Sequence, residues 1–288
     1  MPRRKPSLSL SAGPDYAYPE HLREQLVGLP AAPGVYLFHG EATGEPEGMP
    51  LYIGKSINIR ARVMAHFRAQ EEAALLRQTV RISFVRTAGD VGAQLLEAQM
   101  IKLRQPLHNR LLRRNRQLCS LAMRDGKPEV VDSRSLDFAK TPDLFGLFRS
   151  RRAALEALHT LADMHHLCYG ALGLERLVAG RPCFRRMIYR CNGVCEGAEP
   201  LEAHQARLRD ALEGMRVAVW PYAGAIGLVE SFEGTEQILV VNNWCFLGFA
   251  SDVDAARKLG AVAAGFDADG YKILCRPIMM QFHRLVDL

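Results

Sequence analysis

Short apolar stretches broken by turn residues dominate the first third of this 288-residue chain. Pro30 and Pro33 set off a first predicted strand at 35–38, and the segment 40–50, dense in Gly, Pro and Glu, turns into a second at 51–53. Ile59, Val63 and Phe67 then recur at helical spacing within 57–67, with Arg60 and Arg62 off the apolar stripe. Residues 79–87 alternate as a third strand. Asp90 is a suitable N-cap for a helix running to about Arg104, where Pro106 ends it. A short helix at 21–27 precedes the first strand, and residues 1 to about 20, rich in Pro, Ser and basic side chains, read as a mobile arm. The order strand, strand, helix, strand, helix predicts a compact α+β unit.

Beyond Arg116 the pattern changes. Short β-like pieces at 118–123 and 130–131 lead to a helix at 151–166 opened by Ser150, then to a cysteine cluster at 168–195 and a helix at 201–213. The remainder, with the strings AIGLVES, QILVVNNW and YKILCRPIMM, reads as β-rich. The expected division is an N-terminal arm at 1–30, the first module at 31–115, a linker and helical cysteine-rich region at 116–215, and a β-rich C-terminal domain at 216–288. The Asp-rich string at 265–272 lacks the ligand spacing of a calcium loop and reads as a turn.

Charge sharpens this division. The formal net charge is +6, yet the segment 51–116 carries thirteen Lys or Arg against four Asp or Glu, so the basic excess sits on the first module. Such a concentration suits a polyanionic partner, or else a solvated basic face. No run reaches the roughly 18 apolar residues of a membrane span, and the basic start lacks the apolar region of an export signal. The expectation is a cytoplasmic protein with no membrane association, and a monomer. Seven cysteines, an odd number without an export signal, favour free thiols or metal ligands over disulfides.

The first module holds a set of groups suited to cutting a phosphodiester. Tyr36 and Tyr52 lie on the first two predicted strands, and Lys55 follows just beyond the second as a candidate cation for lowering a phenol pKa. Arg62 and His66, four apart on the next helix, share a face and can point at one phosphate. Glu97 is the only acid between Val91 and Arg124, where seven Lys or Arg occur. One carboxylate is a reasonable protein anchor for a single hydrated Mg²⁺ or Mn²⁺. Each residue alone also fits a plain structural role: strand aromatics, solvated charges, a helix-surface ion pair.

The strings Gly34-Val35-Tyr36 and Tyr52-Ile53-Gly54, with Arg62, Glu97 and Asn109 following, resemble the GIY-YIG nuclease family over about 31–112. Within it, Leu95-Leu96-Glu97-Ala98 and Gln105-Pro106-Leu107-His108-Asn109 look like the UvrC branch of nucleotide excision repair, and the short chain is similar to that branch's short homologues. The resemblance implies a three-stranded antiparallel sheet flanked by helices. It makes Tyr52 the general base, Tyr36 its supporting phenol, Lys55 and Arg62 the phosphate and tyrosine partners, Glu97 the metal ligand and Asn109 a hydrogen-bonder that orders the site. His66 stands where that branch usually has tyrosine. The resemblance further implies incision on the 3′ side of a lesion in double-stranded DNA, with UvrB, and UvrA upstream, supplying the target. A DNA-binding protein without nuclease activity and a sequence-specific restriction or homing nuclease are the alternatives.

Cys168, Cys183, Cys191 and Cys195 provide four thiolates, enough for tetrahedral Zn²⁺ or an iron–sulfur cluster, or for reduced structural thiols. UvrC-like proteins have a similar region, and the resemblance suggests that it can hold a [4Fe-4S] cluster. Cys119, Cys245 and Cys275 lie in apolar runs and are expected to be buried. Candidate DNA-contacting residues are Lys55 and Arg60, the basic run Arg110, Arg113, Arg114 and Arg116, and Arg185 and Arg186 among the cysteines.

Overall fold

The structure, a computed structural model, describes residues 19–41, 48–109, 118–178 and 181–288. The chain forms two compact units, 1–113 and 114–288.

The first unit opens with a 3-10 turn continued by α1 (Arg23–Val27), then β1 (Gly34–His39), β2 (Pro50–Ser56), α2 (Ile59–His66), α3 (Ala73–Gln78), β3 (Arg81–Arg86) and α4 (Asp90–Arg104). The sheet is antiparallel with order β2-β1-β3. Its register sets Tyr36 opposite Gly54 and Phe38 opposite Tyr52. Side chains alternate faces along a strand, so Tyr36, Phe38 and Tyr52 share one face, where Leu22, Leu26, Ile59, Val63, Leu75 and Leu76 pack against them. Val35, Leu37 and Ile53 face the other way, onto Met100 and Ile101 of α4. The segment after residue 20 is therefore no arm: Leu22, Leu26 and Leu29 belong to this core.

Local chemistry fixes the ends of these elements. Asn58 caps α2, its side chain accepting the Ala61 N–H. Asp90 is the first residue of α4 and not its cap, because its carboxylate is engaged elsewhere, by Lys55 and Gln94. Gln105 ends α4 in the left-handed region, φ 48°, just before Pro106.

In the second unit β4 (Cys119–Arg124), β5 (Lys127–Asp132) and β6 (Leu144–Phe148) form an antiparallel sheet of order β5-β4-β6. Helices α5 (Arg151–Met164), α6 (Phe184–Met187) and α7 (Leu201–Glu213) follow. Leu121 and Phe145 of the sheet pack with Ala154, Leu158, Leu208 and Leu212 of α5 and α7. The last part holds β7 (Ile226–Phe232), β8 (Thr235–Asn242), β9 (Cys245–Ala250), α8 (Val253–Gly260), α9 (Ala268–Met279) and β10 (Arg284–Asp287), its sheet ordered β10-β7-β8-β9. Leu118, Phe138 and Val217 share a core with Phe266 and Tyr271, and the Ala218 N–H donates to the Tyr271 hydroxyl.

YKILCRPIMM, read as β, is helical, and Pro277 lies within α9. Gly270, Leu274 and Ile278 recur every four residues and are the buried positions, so helical periodicity overrides the β-branched look of the string. Cys275 accordingly sits on a helix, and Cys119, Cys245 and Cys275 are all partly exposed instead of buried. Among the described residues no helix is long and apolar enough to cross a membrane.

Candidate active site

The first unit gathers its polar groups along β2, which is an edge strand. An edge leaves a row of backbone groups without a neighbouring strand. Here the segment after α4 and one side chain of α4 occupy that row. Leu107 and His108 donate their N–H groups to the carbonyls of Pro50 and Leu51. Asn109 then bonds Ile53 twice, Oδ1 accepting its N–H at 2.9 Å and Nδ2 donating to its carbonyl at 2.8 Å. The Lys55 N–H donates to Glu97 Oε1 at 3.1 Å. Glu97 and Asn109, 12 positions apart in sequence, thus hold alternate positions of one strand edge.

Tyr36 and Tyr52 stand with ring centroids 6.1 Å apart, and Tyr36 is 1% exposed. Burial raises both phenol pKa values, and for Tyr36 the nearby Tyr52 adds to the rise. The nearby Arg62 guanidinium pulls both phenols back toward ionisation. Arg62 is otherwise exposed on α2. It is the cation at the tyrosine pair.

Lys55 and His66 differ from expectation. Lys55 lies within β2, and its Nζ pairs with Asp90 Oδ1 at 2.8 Å instead of approaching a phenol. His66 is 3% exposed, with Nε2 2.7 Å from the Tyr36 hydroxyl, so it meets the same tyrosines as Arg62 but is sealed from solvent. Burial, with the Arg62 charge adding to it, lowers its pKa to about 4. The imidazole is neutral at pH 7 and serves Tyr36 rather than a phosphate.

Burial raises the Glu97 carboxyl pKa, while the Lys55 N–H and the Lys55 charge oppose that rise. A half-buried carboxylate fixed through one oxygen beside two phenols suits a hard, oxygen-seeking cation that takes its remaining ligands from water and phosphate. Gly54 gives the strand the room it needs, since a Cβ there would lie 2.4 Å from the Tyr36 hydroxyl oxygen. Two members of the constellation carried no spacing signal as site residues. Asp90 read as a helix cap, and Glu72, whose Oε1 lies 3.5 Å from His66 Nδ1, follows α2 in a separate turn.

In the second unit the Sγ atoms of Cys168, Cys183, Cys191 and Cys195 all lie within 4.8 Å of one another. Zn–S bonds of about 2.3 Å place tetrahedral thiolates roughly 3.8 Å apart, so the set fits one metal ion. A four-iron cubane binds each thiolate to a different iron and holds the sulfurs farther apart. The Gly193 and Cys183 N–H groups donate to Cys191 Sγ and Cys195 Sγ at 3.3 and 3.4 Å. Gly193 and Gly197, at φ 93° and 79°, fold the turn that carries Cys195.

Arg185 and Arg186 are engaged locally: Arg185 pairs with Asp163 and lies over the Tyr169 ring, and Arg186 pairs with Glu196. Arg60 is exposed on α2. Arg110, Arg113, Arg114 and Arg116 lie outside the described residues.

Three family descriptions match the chain: the UvrC-like GIY-YIG domain at 32–110, the UvrC/Cho excinuclease middle domain at 118–214, and the excinuclease Cho C-terminal domain at 225–288. Excinuclease Cho of Salmonella typhi is 52% identical over 290 residues, covering 100% of this chain and 98% of that protein. Excinuclease Cho of Escherichia coli K12 is 51% identical, covering 98% and 95%. The UvrABC system protein C of Caldicellulosiruptor saccharolyticus is 30% identical over 67% of this chain and 32% of its own length. Among solved structures, the GIY-YIG N-terminal endonuclease domain of UvrC from Thermotoga maritima, bound to its catalytic divalent cation magnesium, is 27% identical. It covers 31% of this chain and 97% of that domain, at a TM-score of 0.28.

Proposed function

The chain belongs to the Cho excinuclease family of UvrC-like GIY-YIG nucleases, and on that premise we propose that it makes a single incision on the 3′ side of lesions in double-stranded DNA. It is a nuclease, a phosphodiester hydrolase. The target in this reading is damaged DNA carrying UvrB, with UvrA acting upstream, in the bacterial cytoplasm, and the chain acts as a monomer.

The observation that supports this most is the gathering, around β2, of two packed phenols near the Arg62 guanidinium and a carboxylate tied to the Lys55 N–H. Glu97 would hold one Mg²⁺ or Mn²⁺, which supplies Lewis-acid neutralisation of phosphate oxygens and an acidified water. Tyr52 would take the proton of the attacking water as a phenolate, which that proton neutralises, and the nearby Arg62 guanidinium would favour the phenolate beforehand. Tyr36 packs beside Tyr52, and His66 fixes the Tyr36 hydroxyl in turn. Lys55, held by Asp90, is poised beside the phosphate path, where an incoming phosphate competes for its ammonium. Asn109 keeps β2 in place. Arg60 is exposed to meet the DNA backbone, joined in this reading by Arg110, Arg113, Arg114 and Arg116, whereas the ion-paired Arg185 and Arg186 contribute less.

In the second unit the four cysteines hold a structural metal, and the mutual distances favour one Zn²⁺ over a [4Fe-4S] cluster.

The test is nicking of a lesion-bearing duplex loaded with UvrB, for the natural chain and for Glu97→Ala. One metal-dependent cut 3′ to the lesion, lost in the variant, is expected. Equal cutting by the variant would overturn the metal assignment. Salt-sensitive binding without any cut would point to a DNA-binding protein, and cutting of undamaged DNA at a fixed sequence to a restriction or homing type.

A further inference from the structure

We propose that Glu72 is a positioning residue: its carboxylate beside Nδ1 of His66 sets the tautomer of the imidazole and with it the direction of the Tyr36–His66 hydrogen bond. This inference rests on the nuclease reading of the tyrosine pair.

The geometry has one firm link and one anchoring charge. Tyr36 and His66 are both nearly sealed from solvent, with 2.7 Å between hydroxyl and Nε2. On the opposite side of the ring, Nδ1 faces Glu72 Oε1 at 3.5 Å, and the Glu72 side chain is 35% exposed. The groups facing the imidazole are Tyr36 and Phe38 from β1, Tyr52 from β2, Arg62 one helical turn earlier, and Glu72 from the turn after α2. Glu72 is the only carboxylate among them.

A neutral imidazole carries one N–H and one bare nitrogen, and the partner of one nitrogen decides the role of the other. An ionised carboxylate only accepts, so Glu72 favours the proton on Nδ1. Nε2 is then bare and must accept the Tyr36 O–H. The Tyr36 oxygen, its proton turned to Nε2, is left as an acceptor toward the rest of the site. The opposite tautomer would reverse the link, with His66 donating to Tyr36.

The test uses the full chain labelled with ¹⁵N-histidine. Nitrogen chemical shifts and long-range couplings distinguish the two tautomers, and His66→Gln assigns the His66 signals among the nine histidines. The expected natural protein shows His66 protonated on Nδ1 near pH 7. In Glu72→Ala the population moves toward Nε2–H, and kcat for nicking falls about tenfold, as for loss of other outer-shell orienting groups, with KM for DNA unchanged. An Nε2–H tautomer in the natural protein, or an unchanged tautomer in Glu72→Ala, would overturn the proposal. The tautomer is read without substrate, so a protein that never nicks DNA would defeat the nuclease reading while leaving the direction of the Tyr36–His66 bond to be decided by the spectra.

Discussion

The Tyr36 hydroxyl and Nε2 of His66 meet at 2.7 Å inside a core where neither residue is more than 3% exposed. Burial, followed by the Arg62 charge, lowers the imidazole pKa to about 4. The unfolded chain binds a proton at His66 below about pH 6.5, whereas the folded chain does so only near 4. Between those values the unfolded state is the more protonated, so stability falls as pH drops from about 6.5 to about 4, and levels off below. The size of the effect is of order 3 kcal/mol. His66→Gln removes the titration, so its stability deficit relative to the natural chain is expected to shrink as pH falls through this window. Parallel melting curves from pH 7 to 4 would contradict this.

Gly54 owes its place to Tyr36. A Cβ at position 54 would sit 2.4 Å from the Tyr36 oxygen and 2.5 Å from its Cζ. The ring has no route aside, being bounded by Phe38, Tyr52 and His66 at centroid distances of 5.7, 6.1 and 5.5 Å. Gly54→Ala should therefore displace the phenol, lower stability by about 1–3 kcal/mol and reduce the nicking rate roughly hundredfold. Urea unfolding and single-turnover nicking check both, and normal activity in this variant would show that Tyr36 has room to shift.

The tyrosine pair and Glu97 were legible in sequence because they fall on strands and a helix, Asn109 only through the family resemblance, and the helices at Leu201–Glu213 and after Ser150 were legible from periodicity and capping. What sequence obscured depends on contacts between distant segments. His66 lies on α2 four residues after Arg62 and both meet the tyrosine pair, yet His66 is buried against Tyr36 while Arg62 stays exposed, a difference the spacing does not show. Lys55 reads as an activating cation until its pairing with Asp90, 35 positions on, is seen. The tail misled for a different reason: Ile273, Ile278 and their neighbours favour strands by type, while every-fourth burial makes a helix of them.

Asn109 satisfies both backbone groups of Ile53 on the open edge of β2. Asn109→Ala leaves a partly buried N–H and carbonyl without those partners, an expected loss of about 1–3 kcal/mol. The same edge carries the Lys55 N–H that fixes Glu97, so the loosened strand should also weaken nicking. A destabilisation below about 0.5 kcal/mol by urea titration would mean that water replaces the side chain at no cost.

Glu97→Gln separates chemistry from stability. Burial raises the Glu97 pKa, so the charged form is disfavoured in the fold, a penalty present above the carboxyl's unfolded pKa and relieved as pH falls. The neutral amide escapes that penalty near pH 7, and its oxygen can still accept the Lys55 N–H. The variant is expected to melt at or above the natural temperature at pH 7, to lose Mn²⁺ binding by calorimetry, and to nick at least about a hundredfold more slowly. A variant that melts lower and keeps the metal would place the cation elsewhere.

The cysteine site makes the sharpest claim on composition. Four Sγ atoms within 4.8 Å of one another, two of them accepting backbone N–H groups, describe the surroundings of a single ion with thiolate ligands. Burial pushes the Cys191 thiol up to about 11 and raises Cys168 as well, while at Cys183 burial is outweighed by hydrogen bonds that bring it down, so without a cation two of these thiols disfavour the ionised form that a metal requires. A bound ion inverts that preference, which couples metal occupancy to the folding of the second unit. Anaerobically purified protein is therefore expected to hold one Zn²⁺ per chain, with no visible iron–sulfur absorption. Stripping it with a chelator, or replacing Cys168 by serine, should lower the melting temperature of the second unit. Iron at four per chain would show that the thiolates spread to admit a cubane, and absence of both metals with unchanged melting would leave the cysteines as buried structural thiols.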